Sequence, residues 1–470
     1  MKKKLLLALI ACMLLSGCGQ SVGKEQGVTG NDQETKESRT MEESENPAAK
    51  EETTAGSEQE SETAGNTMET GEGEVKKLGE SEGKEIDPVK LDNAYQRAAF
   101  LADQVYEVNR ENTLVSPLSL EMALGLATEG ASGETAKELY KYLGNENYAD
   151  WVEQYLDFAK SLESTEETQE KGDDGTEYVM FSPKYSFRYE MANSLWVRKE
   201  DKLSEEYRKL VEKKFKAVAE NVDFVNQSAE TADRINSWCD EHTHGMIKKI
   251  VQPEMFNAEL AAVLVNSVYF ESPWTDKWGL TEHEFTNVKG ETTTQEMLSD
   301  TVKAYYENEY CTAFSKNYFN GFQFIGILPK KEGDFRISEL DLKSLLDSKT
   351  YDYDVRAIAP KLDFETTANN IVDILKAQGV QKAFDKEFAE FDRLLEGREL
   401  HIDDIIQKCK IEMDEEGTRA AAVTAMMMAT NSAVFEEPKF KEVYLDRPFA
   451  FLIYDSQNDQ IVFVGKVTEL

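Results

Sequence analysis

Beyond residue 90 the apolar positions recur at helical spacing. Leu91, Ala94, Tyr95, Ala98, Leu101, Ala102 and Val105 fall on one stripe, which predicts an amphipathic helix with that stripe buried. Ser116-Pro117 predicts a second helix, the serine capping free N–H groups and the proline at the first helical position, and Gly130 predicts its end. Further along the period changes. Residues 261–270 are almost continuously apolar with Asn266 in their middle, the pattern of a central strand, whereas 408–414 alternate Cys409, Ile411 and Met413 with charged residues, the pattern of a half-covered one. Residues 448–454 and 460–467, joined by Asp455-Ser456-Gln457-Asn458-Asp459, predict a hairpin. Residues 163–176 are acidic and poor in apolar side chains, so they predict a loop. Helical patterns crowd the first half and no internal repeat is present, which together favour one large α+β domain over the 382 residues 89–470.

The chain before that domain has a different character. Lys2, Lys3 and Lys4 precede an apolar run over residues 5–15 that ends at Ser16, Gly17 and Cys18. That run is shorter than the roughly 20 residues a bilayer span needs, so residues 1–18 predict a signal peptide. Leu15-Ser16-Gly17-Cys18 resembles a bacterial lipoprotein box and implies lipidation of Cys18, an anchor in the cell envelope or at the extracellular surface. Residues 19–88 predict a disordered acidic tether. Its stretch 19–86 has no Phe, Trp or Tyr, and 18 acidic against 7 basic residues give it a net charge of −11. Such a chain has an r.m.s. reach of roughly 45 Å.

Charge and chemistry-bearing residues narrow the function mainly by exclusion. The formal net charge of −37 argues against nucleic acid or heparin-like polyanions as partners, because these need clustered Lys and Arg to displace counterions. Of five cysteines, Cys12 leaves with the signal and Cys18 carries lipid; Cys239, Cys311 and Cys409 make no disulfide framework and predict free, buried thiols. His242, His244, His283 and His401 stand in no spacing that binds zinc or serves a serine hydrolase, and no phosphate-binding glycine loop or Gly-x-Ser-x-Gly elbow occurs. No catalytic residues, metal or cofactor are expected.

A set of separate landmarks carries a family resemblance. Asn112-Thr113-Leu114-Val115-Ser116-Pro117-Leu118-Ser119 runs on to Thr128-Glu129-Gly130-Ala131-Ser132-Gly133-Glu134-Thr135; then come Asn193-Ser194-Leu195-Trp196, Ile235-Asn236-Ser237-Trp238, Val265-Asn266-Ser267-Val268-Tyr269-Phe270 with Trp274, and Arg447-Pro448-Phe449. In this order they resemble the serpin family across residues 89–470. The resemblance implies a fold of three β-sheets and about nine helices, and an exposed reactive-centre loop that a target protease cleaves and that then inserts into the main sheet. It implies a monomeric inhibitor of serine, or cysteine, endopeptidases and not an enzyme. Relatives whose loop is cut without inserting serve instead as binding or carrier proteins.

The family hinge falls on Glu415, Glu416, Gly417, Thr418, Arg419, Ala420, Ala421, Ala422, Val423 and Thr424. A segment that slides between two paired strands needs small, uncharged side chains and no proline, and residues 420–434 have neither charge nor proline. In a strand Thr418, Ala420, Ala422, Thr424, Met426 and Met428 share the inward face, and Arg419, where inhibitory relatives usually carry an acid, faces out. Taken alone, Ala and Met propensities favour reading residues 418–433 as a buried helix. The usual loop length puts the scissile bond between Asn431 and Ser432, with Met428, Ala429 and Thr430 as alternative cleavage positions. Ser116, Ser119, Asn266 and Gln407 match the polar cluster beneath the sheet where strands part, Gln407 standing where many relatives have histidine, and Trp274 matches the aromatic at the top of the sheet.

Overall fold

The computed structural model describes residues 76–80, 86–143, 148–163, 169–171, 177–179, 188–318, 321–395, 400–418 and 439–470, all within the compact unit Thr67–Leu470. The first half runs α1 (Ala94–Asn109), β1 (Thr113–Val115), α2 (Pro117–Gly130), α3 (Gly133–Tyr142), α4 (Tyr148–Glu163), β2 (Gln169–Lys171), β3 (Glu177–Val179), β4 (Arg188–Arg198), α5 (Glu205–Phe215), β5 (Val218–Val222) and α6 (Ser228–His242). Strands then dominate: β6 (Ala262–Pro273), β7 (Gly279–Thr286), β8 (Thr292–Val302), β9 (Ala304–Glu307), β10 (Cys311–Asn317) and β11 (Phe322–Pro329). After α7 (Leu342–Asp347) come β12 (Asp354–Pro360), β13 (Leu362–Ala368), α8 (Ile371–Ala377), β14 (Asp404–Met413) and β15 (Gly417–Thr418). The chain closes with β16 (Phe440–Tyr444), β17 (Phe449–Asp455) and β18 (Gln460–Val467).

Three sheets result. The main sheet has the order β13-β14-β15-β6-β4-β5, with β14 also pairing directly with β6; a second six-stranded sheet runs β1-β18-β17-β11-β10-β9, and a four-stranded one β16-β12-β8-β7. β2 and β3 form a separate ribbon. Eight α-helices stand among the described residues. α2 packs between the two large sheets, against β4, β6 and β18, and its Leu120, Met122, Leu124 and Leu126 are buried.

The hydropathy pattern translates closely into these elements. Ala98, Leu101, Ala102 and Val105 are buried along α1, but Leu91 lies before the helix, because Asn93 caps it by accepting from the Gln96 N–H at 2.9 Å. Ser116 caps α2 and accepts from the Ser119 N–H, and the helix ends at Gly130. β6 is buried along nearly its whole length, and in β14 Cys409, Ile411 and Met413 are buried beside half-exposed Lys410 and Glu412. β17 and β18 form the expected hairpin. Cys239, Cys311 and Cys409 are free and buried.

Two stretches differ from expectation. Part of the acidic loop over 163–176 is paired backbone, Gln169–Lys171 against Glu177–Val179. Within the stretch assigned to the tether, residues 76–80 pack on the body: Leu78 is 1% exposed, in a cluster with Met255, Phe256, Leu260, Val263 and Ile406. Low aromatic content over seventy residues conceals one leucine that finds a pocket.

Candidate functional site

The site is a seam in the main sheet. β14 and β6 run parallel and pair from Asp404↔Val263 up to Cys409↔Val268. Above that level no pairing joins residues 410–412 to 269–271, and at the top β15 lies between the two strands, antiparallel to both: Thr418 stands opposite Met413 and Ser272, and Gly417 opposite Pro273. The outer edges stay occupied, β14 by β13 and β6 by β4. The first two small residues of the hinge are therefore already strand within the sheet, above a gap.

Interactions at the top of the seam fix this start. Thr418 is 2% exposed and its hydroxyl bonds to the Tyr318 hydroxyl at 2.6 Å. Tyr318 stacks on Trp274 with ring centroids 4.0 Å apart, and Trp274 donates from Nε1 to the Asp414 carbonyl at 2.9 Å and from its backbone N–H to the Glu416 carbonyl at 3.1 Å. The Asp414 carboxylate accepts from the N–H groups of Glu416 and Gly417, tightening the turn between β14 and β15. Lys361 bridges Glu415 at 3.0 Å and Glu296 at 2.8 Å, and Lys277 pairs with Glu416. A hydrogen bond from its own backbone N–H, and next that from Lys361, hold the Glu415 carboxyl below its ordinary range.

Beneath the gap the four expected polar residues do come together. Gln407 Nε2 donates to the Ser116 carbonyl at 2.9 Å and to Asn266 Oδ1 at 2.7 Å, while its Oε1 accepts from the Ser116 N–H at 2.9 Å. Asn266 Nδ2 donates to Ser119 Oγ at 2.5 Å and to Asn193 Oδ1 at 2.6 Å. All these side chains are buried, so each bond replaces one to water that folding removed. Asn266→Ala strands the donors and acceptors of three neighbours; we expect a loss of about 2–4 kcal/mol, read as a lower urea midpoint at unchanged slope.

At the base of the seam, Asp403 accepts from the N–H groups of Ala261 (2.6 Å) and Ala262 (2.9 Å) and is held by His401 Nε2 at 2.8 Å. Asp404 is buried, and burial lifts its carboxyl to about 6 against the opposing pull of Lys76 and the N–H groups of Gly79 and Ile405, with Asp403 adding a smaller push upward. A folded-state value above the unfolded one means that the native protein takes up a proton first, so stability falls as pH rises from about 4 to about 6. Asp404→Asn should flatten that slope and raise stability at pH 7 by about 1–3 kcal/mol, measured by denaturant titration at pH 4.5 and pH 7.

Of the expected site residues, Glu415, Glu416, Gly417, Thr418, Ser116, Ser119, Asn266, Gln407 and Trp274 are placed, and all line the seam or its rim. Arg419, Ala420, Ala421, Ala422, Val423 and Thr424, the cleavage positions Met428, Ala429, Thr430, Asn431 and Ser432, and Cys18 with residues 1–75 lie outside the described residues. Several participants were not assigned to the site from sequence, Asn193, Tyr318, Lys361 and Lys277 among them. Asn193 carried a signal, a polar residue in a run of buried strand, as Asn266 did; Tyr318 carried none, since its place beside Trp274 depends on how β10 and the end of β6 meet.

Comparisons with known proteins agree with this geometry. The profile of the family described as Serpin (serine protease inhibitor) matches residues 94–470. A serpin-like protein of Thermococcus kodakarensis is 31% identical over 371 residues, covering 76% of this chain and 81% of its own, and neuroserpin of Gallus gallus is 30% identical over 378 residues, covering 76% and 86%. Among solved structures, Serpin48 of the insect Tenebrio molitor superposes with a TM-score of 0.67 at 25% identity, covering 80% of this chain and 97% of its own. The thermophilic serpin tengpin in its native state gives 0.65 at 26%, covering 84% and 98%. With its three sheets, its seam and a family match over four-fifths of its length, the chain belongs to the serpin family of protease inhibitors.

Proposed function

We propose that the chain is a suicide inhibitor of serine endopeptidases, with cysteine endopeptidases open to the same acyl chemistry, and that it works by inserting its cleaved loop into the seam. The observation that carries this reading is β15: Gly417–Thr418 stands between β14 and β6 with unpaired strand directly below. The protease nucleophile attacks the carbonyl carbon at Asn431, the bond to the nitrogen of Ser432 breaks, and the new amine leaves with a proton supplied by the protease. The protease stays esterified to the upstream segment. As that segment slides into the seam, its N–H and C=O groups pair on both sides, and the acylated enzyme is dragged from the loop's original position before water can attack.

Continuing the observed antiparallel register one residue at a time assigns each hinge residue a level. Arg419 comes opposite Glu412 and Glu271, Ala420 opposite Ile411 and Phe270, and Ala422 opposite Cys409 and Val268. Thr424 reaches Gln407 and Asn266, where Asn193 Nδ2 has no hydrogen-bond partner among the described residues. Small side chains therefore fall where β6 and β14 turn apolar side chains inward, and the one charge falls between two half-exposed acids.

The lipoprotein-like start of the chain supports an inhibitor anchored through Cys18 and held off the envelope by an acidic tether. The test is direct: incubate the protein with elastase, subtilisin, papain and an asparaginyl endopeptidase. We expect at least one to form an adduct that survives SDS and has the mass of the protease plus the upstream fragment. Clean cleavage by all four without an adduct contradicts inhibition and favours a carrier whose loop is cut without inserting.

A further inference from the structure

The base of the seam has a second closure that does not come from the seam itself. Residues 76–80 cross it. The Leu78 N–H donates to the Met255 carbonyl at 2.7 Å and the Leu78 carbonyl accepts from Asn257 Nδ2 at 3.0 Å, on the segment that leads into β6. One residue on, the Gly79 N–H donates to Asp404 Oδ2 at 3.0 Å, on the first residue of β14. Lys76 Nζ donates to the Asn369 carbonyl at 2.9 Å, beyond β14 between β13 and α8. The Leu78 side chain lies in a cluster holding Val263 and Val265 of β6 and Ile406 of β14. Gly79 has φ +79°, and a Cβ there would come within 3.3 Å of Asp403 Cβ, so the crossing requires glycine.

An uncut loop faces the same gap as a cut one. Each level that opens between β14 and β6 lets another hinge residue gain strand hydrogen bonds, so an intact chain with Gly417–Thr418 already inside stands at the head of a downhill slide. Full insertion needs Asp404 and Val263 to part, and the 76–80 segment bonds to Asp404 on one side and to Met255 and Asn257, ahead of β6, on the other, with Leu78 in the same apolar cluster as Val263.

We propose that residues 76–80 are a strap that holds the base of the seam shut and slows insertion of the uncut loop. This rests on the insertion reading above. Its effect is on the lifetime of the active form.

The test uses the full chain and two variants, Leu78→Asp and Gly79→Val, held intact at a fixed temperature below unfolding. Conversion is followed as the appearance of a form that melts where loop-cut protein melts and no longer yields its loop to limiting protease. We expect both variants to convert at least tenfold faster than the unchanged chain, and Thr418→Arg placed in either background to suppress the conversion. Equal rates in all three proteins overturn the strap, as does simple unfolding of both variants without passage through the heat-resistant form. Cutting the loop of the unchanged chain is read first: if its melting temperature does not rise, the insertion reading falls and the strap with it, whereas a rise with equal conversion rates removes the strap alone.

Discussion

Thr418→Arg should abolish the covalent adduct while leaving the loop as easily cut as before. Thr418 is buried, on the same face as Met413 and Ser272, with its hydroxyl tied to Tyr318 under Trp274. A guanidinium there enters the core with no carboxylate to meet it, and an unpaired buried charge costs several kcal/mol. It already holds the first level between β14 and β6, and in the proposed mechanism every later level follows it in, so an arginine that leaves this level takes the start of insertion with it. We expect insertion to slow by about 100-fold or more, which lets the acyl-enzyme hydrolyse and release active protease. Gel densitometry of adduct against cleaved chain reads the partition, and adduct at its original yield shows that Thr418 is not the leading inserted residue.

Arg419→Glu should shift the partition toward cleaved chain by about tenfold, a milder and more specific effect. At the projected level the side chain stands between Glu412, which accepts from Lys410, and Glu271, which accepts from the Tyr269 hydroxyl at 2.8 Å. On that projection the arginine would meet two carboxylates, and a glutamate would make a third. These positions are half-exposed, so the change is on the order of 1–2 kcal/mol and weakens as salt rises. Adding Glu412→Lys should restore the adduct in the Arg419→Glu background and reduce it in the original one. An Arg419→Glu chain that inhibits as well as the original, at low salt, shows that the register does not continue as projected. An acid at this position is usual in inhibitory relatives, and the two flanking acids give a reason why this chain carries the opposite charge.

Much of this was readable from residue order, and what was not has identifiable causes. Period alone marks α1, β6, β14 and the closing hairpin, because burial there follows the backbone repeat. Ser116 with Pro117 marks α2 through capping chemistry that is local by nature. The polar cluster was legible through the family resemblance, and Asn266 also stood out as a polar residue in an apolar run, costly there unless something satisfies it. Tyr318, Lys361 and Lys277 act through contacts across 100, 54 and 139 residues of chain, and nothing local records them. The strap was hidden for a related reason: composition averaged over the tether is that of a disordered segment, and a single leucine and a single glycine do not alter an average. The early insertion of Gly417–Thr418 is likewise a matter of where two strands stop pairing, which no hinge motif states.

The measurement closest to the central claim is thermal unfolding of the protein before and after a single cut in the loop, with both fragments retained. If the segment below Thr418 fills the seam, some ten residues gain strand hydrogen bonds on both sides and bury their inward side chains, and the melting temperature should rise by more than about 10 °C. An unchanged or lower melting temperature after the cut would mean that the seam stays closed and that this loop is not a trap.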